Sequence, residues 1–187
     1  KDTVAEFLLA TYSEHYRYAF ADPLKEAAAV AFGIPLQWFN STSLKEVPHP
    51  NWNISPRKIA QFFGTELFRE RIYQLLPSIE SDFWVQRMII RLNNQYVPED
   101  EGPLSSGDVV VIPDVRFQNE YDWIISQNGI IIHLTRPGAD GNIGILGHAS
   151  ESSLNLWKKE RTYECVNDDS IPLLQQKIAN IVDSLKY

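Results

Sequence analysis

Three short, mainly apolar runs punctuate the second half of the chain: Val109 to Ile112, Ile130 to Leu134 and Tyr163 to Val166. An apolar run without alternation is what a strand covered on both faces requires. Between the first two lies a helical pattern over about residues 118–128, stopped by Gly129. After the third comes a helix built on Leu174, Ile178, Ile181, Val182 and Leu185. Strands alternating with helices predict a mainly parallel sheet in a single α/β domain.

The first half is more helical. Val4, Phe7, Leu8 and Tyr12 recur at helical spacing and predict a helix over 3–12, followed by a short strand from Tyr16 to Phe20. Asp22-Pro23 is a helix start, because the carboxylate can cap free amides and proline loses nothing at the first position; Gly33 supplies the stop. From Ile34 to Ile54 the prolines, asparagines and serines read as a long surface excursion. Ser55-Pro56 opens the next helix, with Ile59, Phe62, Phe63 and Leu67 as its buried stripe. Asp82 opens another, on which Val85, Met88, Ile89 and Leu92 form one face and Trp84, Arg87 and Arg91 another. Val97 to Gly107 is rich in Pro, Gly and Ser and reads as exposed.

Composition excludes several classes. A net charge of -7 argues against a nucleic-acid polymer as partner, so any anionic ligand must be held by a few local cations. The single cysteine, Cys165, cannot form an internal disulfide, and no apolar run approaches the ~20 residues that span a bilayer. The chain therefore reads as cytoplasmic, without a membrane partner. His15, His49, His133 and His148 form no cluster at metal-ligand spacing, and neither a G-x-S-x-G elbow nor H-E-x-x-H occurs.

In an open parallel sheet, ligands bind beyond the carboxyl ends of the strands. Pro113-Asp114-Val115-Arg116 directly follows one buried run and Arg136-Pro137-Gly138 the next. Two guanidinium groups at adjacent strand ends suit phosphate oxygens, each fork donating two hydrogen bonds. Glycines at 138, 141, 144 and 147 then give a loop able to close over a ligand. Arg57 and Lys58 stand in the first turn of a helix, where cations oppose the dipole; a nearby anion, such as a bound phosphate, would resolve that mismatch.

Taken in order, KDTVAEFL, FADPLKEA, LKEVP, SPRKIAQFFGTE, DFWVQR, VIPDVRFQNE, LTRPG, HASE and a last strand ending VND resemble the bacteriophage-type deoxynucleoside monophosphate kinases, a branch of the P-loop nucleotide-kinase superfamily. The resemblance covers nearly the whole chain. It implies a three-layer P-loop kinase fold, with a helical acceptor-binding insertion over about 34–107 and a lid loop over about 138–152. It also implies that a strand and the loop glycines precede Lys1. By resemblance Lys1, Asp2 and Thr3 are the end of the phosphate loop, Lys1 reaching ATP phosphates and Thr3 lying near Mg²⁺. Arg136 and Asn167 complete the ATP side, near the transferring group and the adenine respectively. The monophosphate side falls to Asp22, Lys25, Arg57, Gly64, Thr65, Trp84, Arg87, Asp114, Arg116, Asn119 and Glu120. Many relatives carry an acidic-arginine pair before L-K-E where this chain reads Asn40-Ser41-Thr42-Ser43, so either the acceptor site differs there or residues are missing from this loop.

The expected reaction is ATP-dependent phosphoryl transfer to a deoxynucleoside monophosphate, with Mg²⁺ as cofactor and Lys1, Arg116 and Arg136 as catalytic cations. The acceptor monoester, with a second pKa of about 6, is already a good nucleophile at neutral pH, so a general base is not needed. Competing readings are a P-loop kinase for dephospho-coenzyme A or a nucleoside, and a non-catalytic nucleotide-binding protein. A monophosphate acceptor needs a second anion site, which Arg57, Arg87 and Arg116 offer. The resemblance is compatible with a homodimer.

Overall fold

The computed structural model describes residues 1–12, 15–93, 108–137 and 161–185. These belong to two compact units, one formed by Lys1–Arg17 with Ser106–Tyr187, the other by Tyr18–Ser105. The loop expected over 138–152, with His148, and the segment Val97–Gly107 lie outside the described residues.

The first unit is mixed α/β. Its elements are α1 (Asp2–Thr11), β1 (His15–Arg17), β2 (Val109–Val111), α6 (Gln118–Ser126), β3 (Ile131–Thr135), β4 (Thr162–Val166) and α7 (Ile171–Asp183). All pairing is parallel: β1 lies beside β2 with His15 opposite Val109, and β3 beside β4 with Ile131 opposite Thr162 and Thr135 opposite Val166. Among the described residues these are two two-stranded ladders rather than the continuous sheet expected. Val4 and Leu8 of α1, Cys165 of β4, and Leu174 and Ile178 of α7 form the core, with Val111, Ile132 and Leu134 packed on it. A second cluster joins Tyr121 of α6 to Ile131, and Tyr121 Oη bonds Thr162 Oγ1 at 2.7 Å.

Two expectations need correction here. The first strand covers His15–Arg17 rather than Tyr16–Phe20; Tyr18, Ala19 and Phe20 are buried outside any ladder. The strand β2 is not covered on both faces, since Val109 is 45% exposed. An apolar run records the wish to be covered, and one edge position can be left over.

The second unit is helical: α2 (Asp22–Phe32), α3 (Leu36–Asn40), a 3₁₀ turn (Leu44–Glu46), α4 (Pro56–Gln61), a π-helical segment (Phe62–Leu67), a second 3₁₀ turn (Ile72–Gln74) and α5 (Phe83–Leu92). Helix α2 starts and stops where the sequence says, with Pro23 near its start and Gly33 closing it in the left-handed conformation at φ 59°. The stretch 34–54 is largely exposed, as expected, but it carries a helix and a 3₁₀ turn and is anchored to the core. Ile34 and Phe39 are buried against Ala28, Ala29 and Ile59, and His49 closes a small antiparallel bridge to Ile54. Polar loop residues and prolines hid two apolar anchors that outweigh them.

Candidate nucleotide-binding residues

In the first unit, Arg136 directly follows β3 and Asn167 directly follows β4. The Asn167 amide donates to Thr135 O at 2.7 Å, extending the ladder one step and holding both residues at the carboxyl end of the pair. Arg136 is exposed and Asn167 half-buried. Among the described residues the strand neighbour of Arg136 is thus Asn167, where the order of apolar runs implied Arg116; β2, which precedes Arg116, pairs there with β1.

Sequence reasoning missed what fixes this corner. Lys177 of α7 reaches back to the end of β4, donating to Val166 O at 3.0 Å and Asp168 Oδ1 at 2.7 Å. The Lys177 ammonium holds the Asp168 carboxyl below its ordinary range, and Asp168 in turn raises Lys177. Nine residues apart across a helix start, the two show no periodicity that could have signalled them. Burial pushes the Cys165 thiol up, as expected for an inert core cysteine.

Arg116 and Asp114 occupy the turn between β2 and α6. Glu120, assigned by resemblance to the monophosphate, is 2% exposed, and its Oε2 accepts from Arg116 N at 2.8 Å and Phe117 N at 3.1 Å. It is half of a capping box: the glutamate reaches back to the helix entry, while Phe117 has no side-chain acceptor to reciprocate. The carboxylate therefore fixes the backbone of Arg116. Glutamate at the third helical position was a readable sign of this role. Asn119 stands one residue before it, half-buried.

Helix α1 begins at Asp2 with Lys1 as its N-cap, and no side chain caps it. Lys1, Asp2 and Thr3 are all exposed at that end. Among the described residues, no group of three or more His, Cys, Asp or Glu side chains could hold a metal ion. A single exposed hydroxyl at Thr3 fits Mg²⁺, which keeps its waters and is held largely by substrate phosphates rather than by a protein cage.

In the second unit, Asp22 Oδ2 accepts from Ala19 N at 3.2 Å, so the carboxylate caps the turn before α2. Lys25 lies 3.9 Å from Asp22 Oδ1 and donates to Asn40 Oδ1 at 3.1 Å. Arg57 Nε donates to Glu46 Oε1. A carboxylate of the protein itself thus stands beside this helix start. Helix α4 has six residues, and Ser55 Oγ already takes the Lys58 amide, so the helix end is not an anion site.

Gly64, Thr65 and Trp84 meet through the π-helical segment. Phe68 N bonds Phe63 O and Arg69 N bonds Thr65 O, so the change of register skips Gly64 O. Trp84 Nε1 donates to that orphaned carbonyl at 2.9 Å. The indole is 6% exposed and packs edge-on against Phe68 and Phe83, at 5.5 and 4.9 Å. Trp84, assigned by resemblance to the monophosphate side, thus holds a core position. A Cβ on Gly64 would stand 3.0 Å from Leu24 Cδ2, so glycine lets α2 approach closely. Thr65 is buried beside it, Arg87 is half-buried on α5, and the guanidinium of Arg91 lies 4.3 Å from the Tyr18 ring centroid.

Comparison with known proteins bears on what these residues serve. A family model described as deoxynucleotide monophosphate kinase matches residues 36–178. The chain is 29% identical over 188 residues to a protein of Acanthamoeba polyphaga mimivirus provisionally named a deoxynucleotide monophosphate kinase, covering 98% of this chain and 91% of that relative. It is 23% identical over 234 residues to the deoxynucleotide monophosphate kinase of Enterobacteria phage T4, covering 99% and 95%.

Proposed function

The chain belongs to the deoxynucleotide monophosphate kinase family, and on that premise we propose that it transfers the γ-phosphoryl group of ATP to a deoxynucleoside monophosphate, giving ADP and a deoxynucleoside diphosphate. The observation that carries the donor side is the juxtaposition of Arg136 and Asn167 at the carboxyl ends of paired parallel strands. That is where a parallel sheet binds its ligand. The finer architecture in this reading is a three-layer P-loop kinase, with the helical residues serving the acceptor and the segment 138–152 serving as lid.

Each residue then has a task its chemistry suits. The exposed N-terminus of α1, with Lys1 and Thr3, receives ATP phosphates on free amides and a cation. Thr3 would lie beside Mg²⁺ brought by those phosphates, which would supply charge neutralisation on the donor. Arg136 donates to the oxygens of the transferring group, and Arg116, its backbone pinned by Glu120, does so for the acceptor phosphate. Arg57 and Arg87 contribute positive charge to the acceptor side. Asn167 offers a carboxamide to the adenine. Asp22, through the turn it caps, and Lys25, through Asn40, set the start of α2.

A phosphate monoester attacks through its own oxygen, so positioning and charge neutralisation are the whole of the protein's contribution. The resemblance assigns Arg57, Arg87 and Arg116 to a second anion site, which a monophosphate acceptor needs and a nucleoside does not. In this reading the reaction takes place in the cytoplasm, that of the host cell if the protein is phage-encoded. No helix among the described residues is long and apolar enough to cross a membrane.

The test is a coupled assay of ADP release, using protein expressed from its full coding sequence, with ATP, Mg²⁺ and each of the four deoxynucleoside monophosphates beside AMP. Release dependent on at least one deoxynucleotide is expected. No release with any of them overturns the assignment.

A further inference from the structure

Arg57 and Glu46 form an ion pair between two elements that sequence order separates by eleven residues. The Arg57 side chain is 15% exposed and the Glu46 side chain 51%. Among the described residues, Nε is the Arg57 nitrogen that has an acceptor, which leaves the Nη1/Nη2 fork on the opposite edge. We propose that Glu46 is a positioning residue for the acceptor phosphate: it grips the Nε edge of Arg57 so that the paired Nη groups are presented, already oriented, for a bidentate contact with a phosphate monoester. This rests on the assignment of Arg57 to the acceptor side.

The chain builds the carboxylate into place. Ser41 Oγ accepts from Leu44 N at 3.2 Å, and Ser41 O accepts from Lys45 N at 3.2 Å. Those bonds wind Leu44–Glu46 into a 3₁₀ turn that ends on Glu46. Ser55 and Pro56 start α4 one residue before Arg57, with Ile59 buried in the core below it. Both partners are thus held by backbone structure rather than by each other alone.

The gain is orientation. A planar fork binds a phosphate with two parallel hydrogen bonds only when its plane is set. A free arginine must stop its side-chain rotations when ligand arrives, and the cost of immobilising one long side chain corresponds to about three- to tenfold in affinity. Because Glu46 faces water, its own charge is screened and only partly offsets the attraction of Arg57 for phosphate.

Kinetics of Glu46→Ala, Glu46→Asp, Arg57→Ala and the double variant decide the matter, with ATP and the best deoxynucleoside monophosphate varied separately. Glu46→Ala is expected to raise the monophosphate KM about three- to tenfold, leaving kcat within about twofold and the ATP KM unchanged. Glu46→Asp recovers part of the loss, and the double variant is no worse than Arg57→Ala. Glu46→Gln makes the same comparison if the alanine variant does not fold. An unchanged or lowered monophosphate KM in Glu46→Ala, while Arg57→Ala raises it, overturns the role of Glu46 and leaves Arg57 assigned. No effect of Arg57→Ala removes the premise, and an inactive unmodified protein removes the proposed function itself.

Discussion

Replacing Glu120 by alanine separates a cap from a ligand. In the structure the carboxylate oxygen serves two amides, Arg116 N at 2.8 Å and Phe117 N at 3.1 Å, and the side chain is 2% exposed. Leaving a buried donor unmade costs about 1–3 kcal/mol. Two donors that water can partly reach give a loss of about 2–4 kcal/mol, equivalent to a fall of roughly 5–15 °C in Tm for a chain of this size. Glu120→Gln keeps an oxygen in place and should lose about 1 kcal/mol. Urea titration followed by tryptophan fluorescence gives both losses, and steady-state kinetics below the transition gives the consequence: with the Arg116 backbone released, kcat falls more than the monophosphate KM rises. If Glu120→Ala keeps its urea midpoint and instead raises the monophosphate KM selectively, the carboxylate touches nucleotide and the capping argument fails.

Other variants test other links. Arg136→Ala should lose turnover on the order of 10³-fold, with a smaller effect on monophosphate affinity; unchanged kcat removes its role. Trp84→Phe strands Gly64 O and should cost about 2 kcal/mol in a urea titration, whereas a base-contacting indole would change monophosphate KM with little loss of stability. The Asp168–Lys177 pair makes a pH prediction. The Asp168 carboxyl is depressed in the folded state by Lys177, so its stabilisation is present above the ordinary carboxyl pKa near 4 and is lost as pH falls below it. Lys177 is raised, so its share persists to the ordinary lysine range near 10.4 and is lost as pH climbs through the raised value. The stability difference between the protein and Lys177→Met should therefore be flat from about pH 5 to 9 and shrink at both ends; a maximum inside that window contradicts the pairing. Finally, the Cys165 thiol should react with a thiol reagent only as fast as the core opens, and rapid native-state labelling would contradict its burial.

Local rules made part of this fold legible. Asp22-Pro23 and Gly33 bracket α2 because their backbone demands are intrinsic to the residues, and the apolar stripe of α7 needs only its own period. The segment after Phe62 was less readable, since an apolar stripe looks alike in an α-helix and in the π-helical turn that frees Gly64 O. Trp84 stood off the main apolar face of α5 and is buried all the same, because Phe68 and the Gly64 carbonyl, twenty residues upstream, complete its surroundings. Glu46 and Arg57 show the same limit at the candidate site. Each was visible as a charged residue, but their pairing depends on how α3 and α4 pack around Ile34 and Phe39, which polar composition concealed.

The central claim, that the acceptor is the phosphate of a deoxynucleotide, is tested most directly by identifying the product. Phosphorus NMR of a reaction with ATP, Mg²⁺ and a deoxynucleoside monophosphate should show the monoester signal giving way to the two coupled resonances of a deoxynucleoside diphosphate, in step with ADP. Inorganic phosphate appearing with ADP while the monoester signal stays unchanged would mean that water is the acceptor, and the account would be wrong.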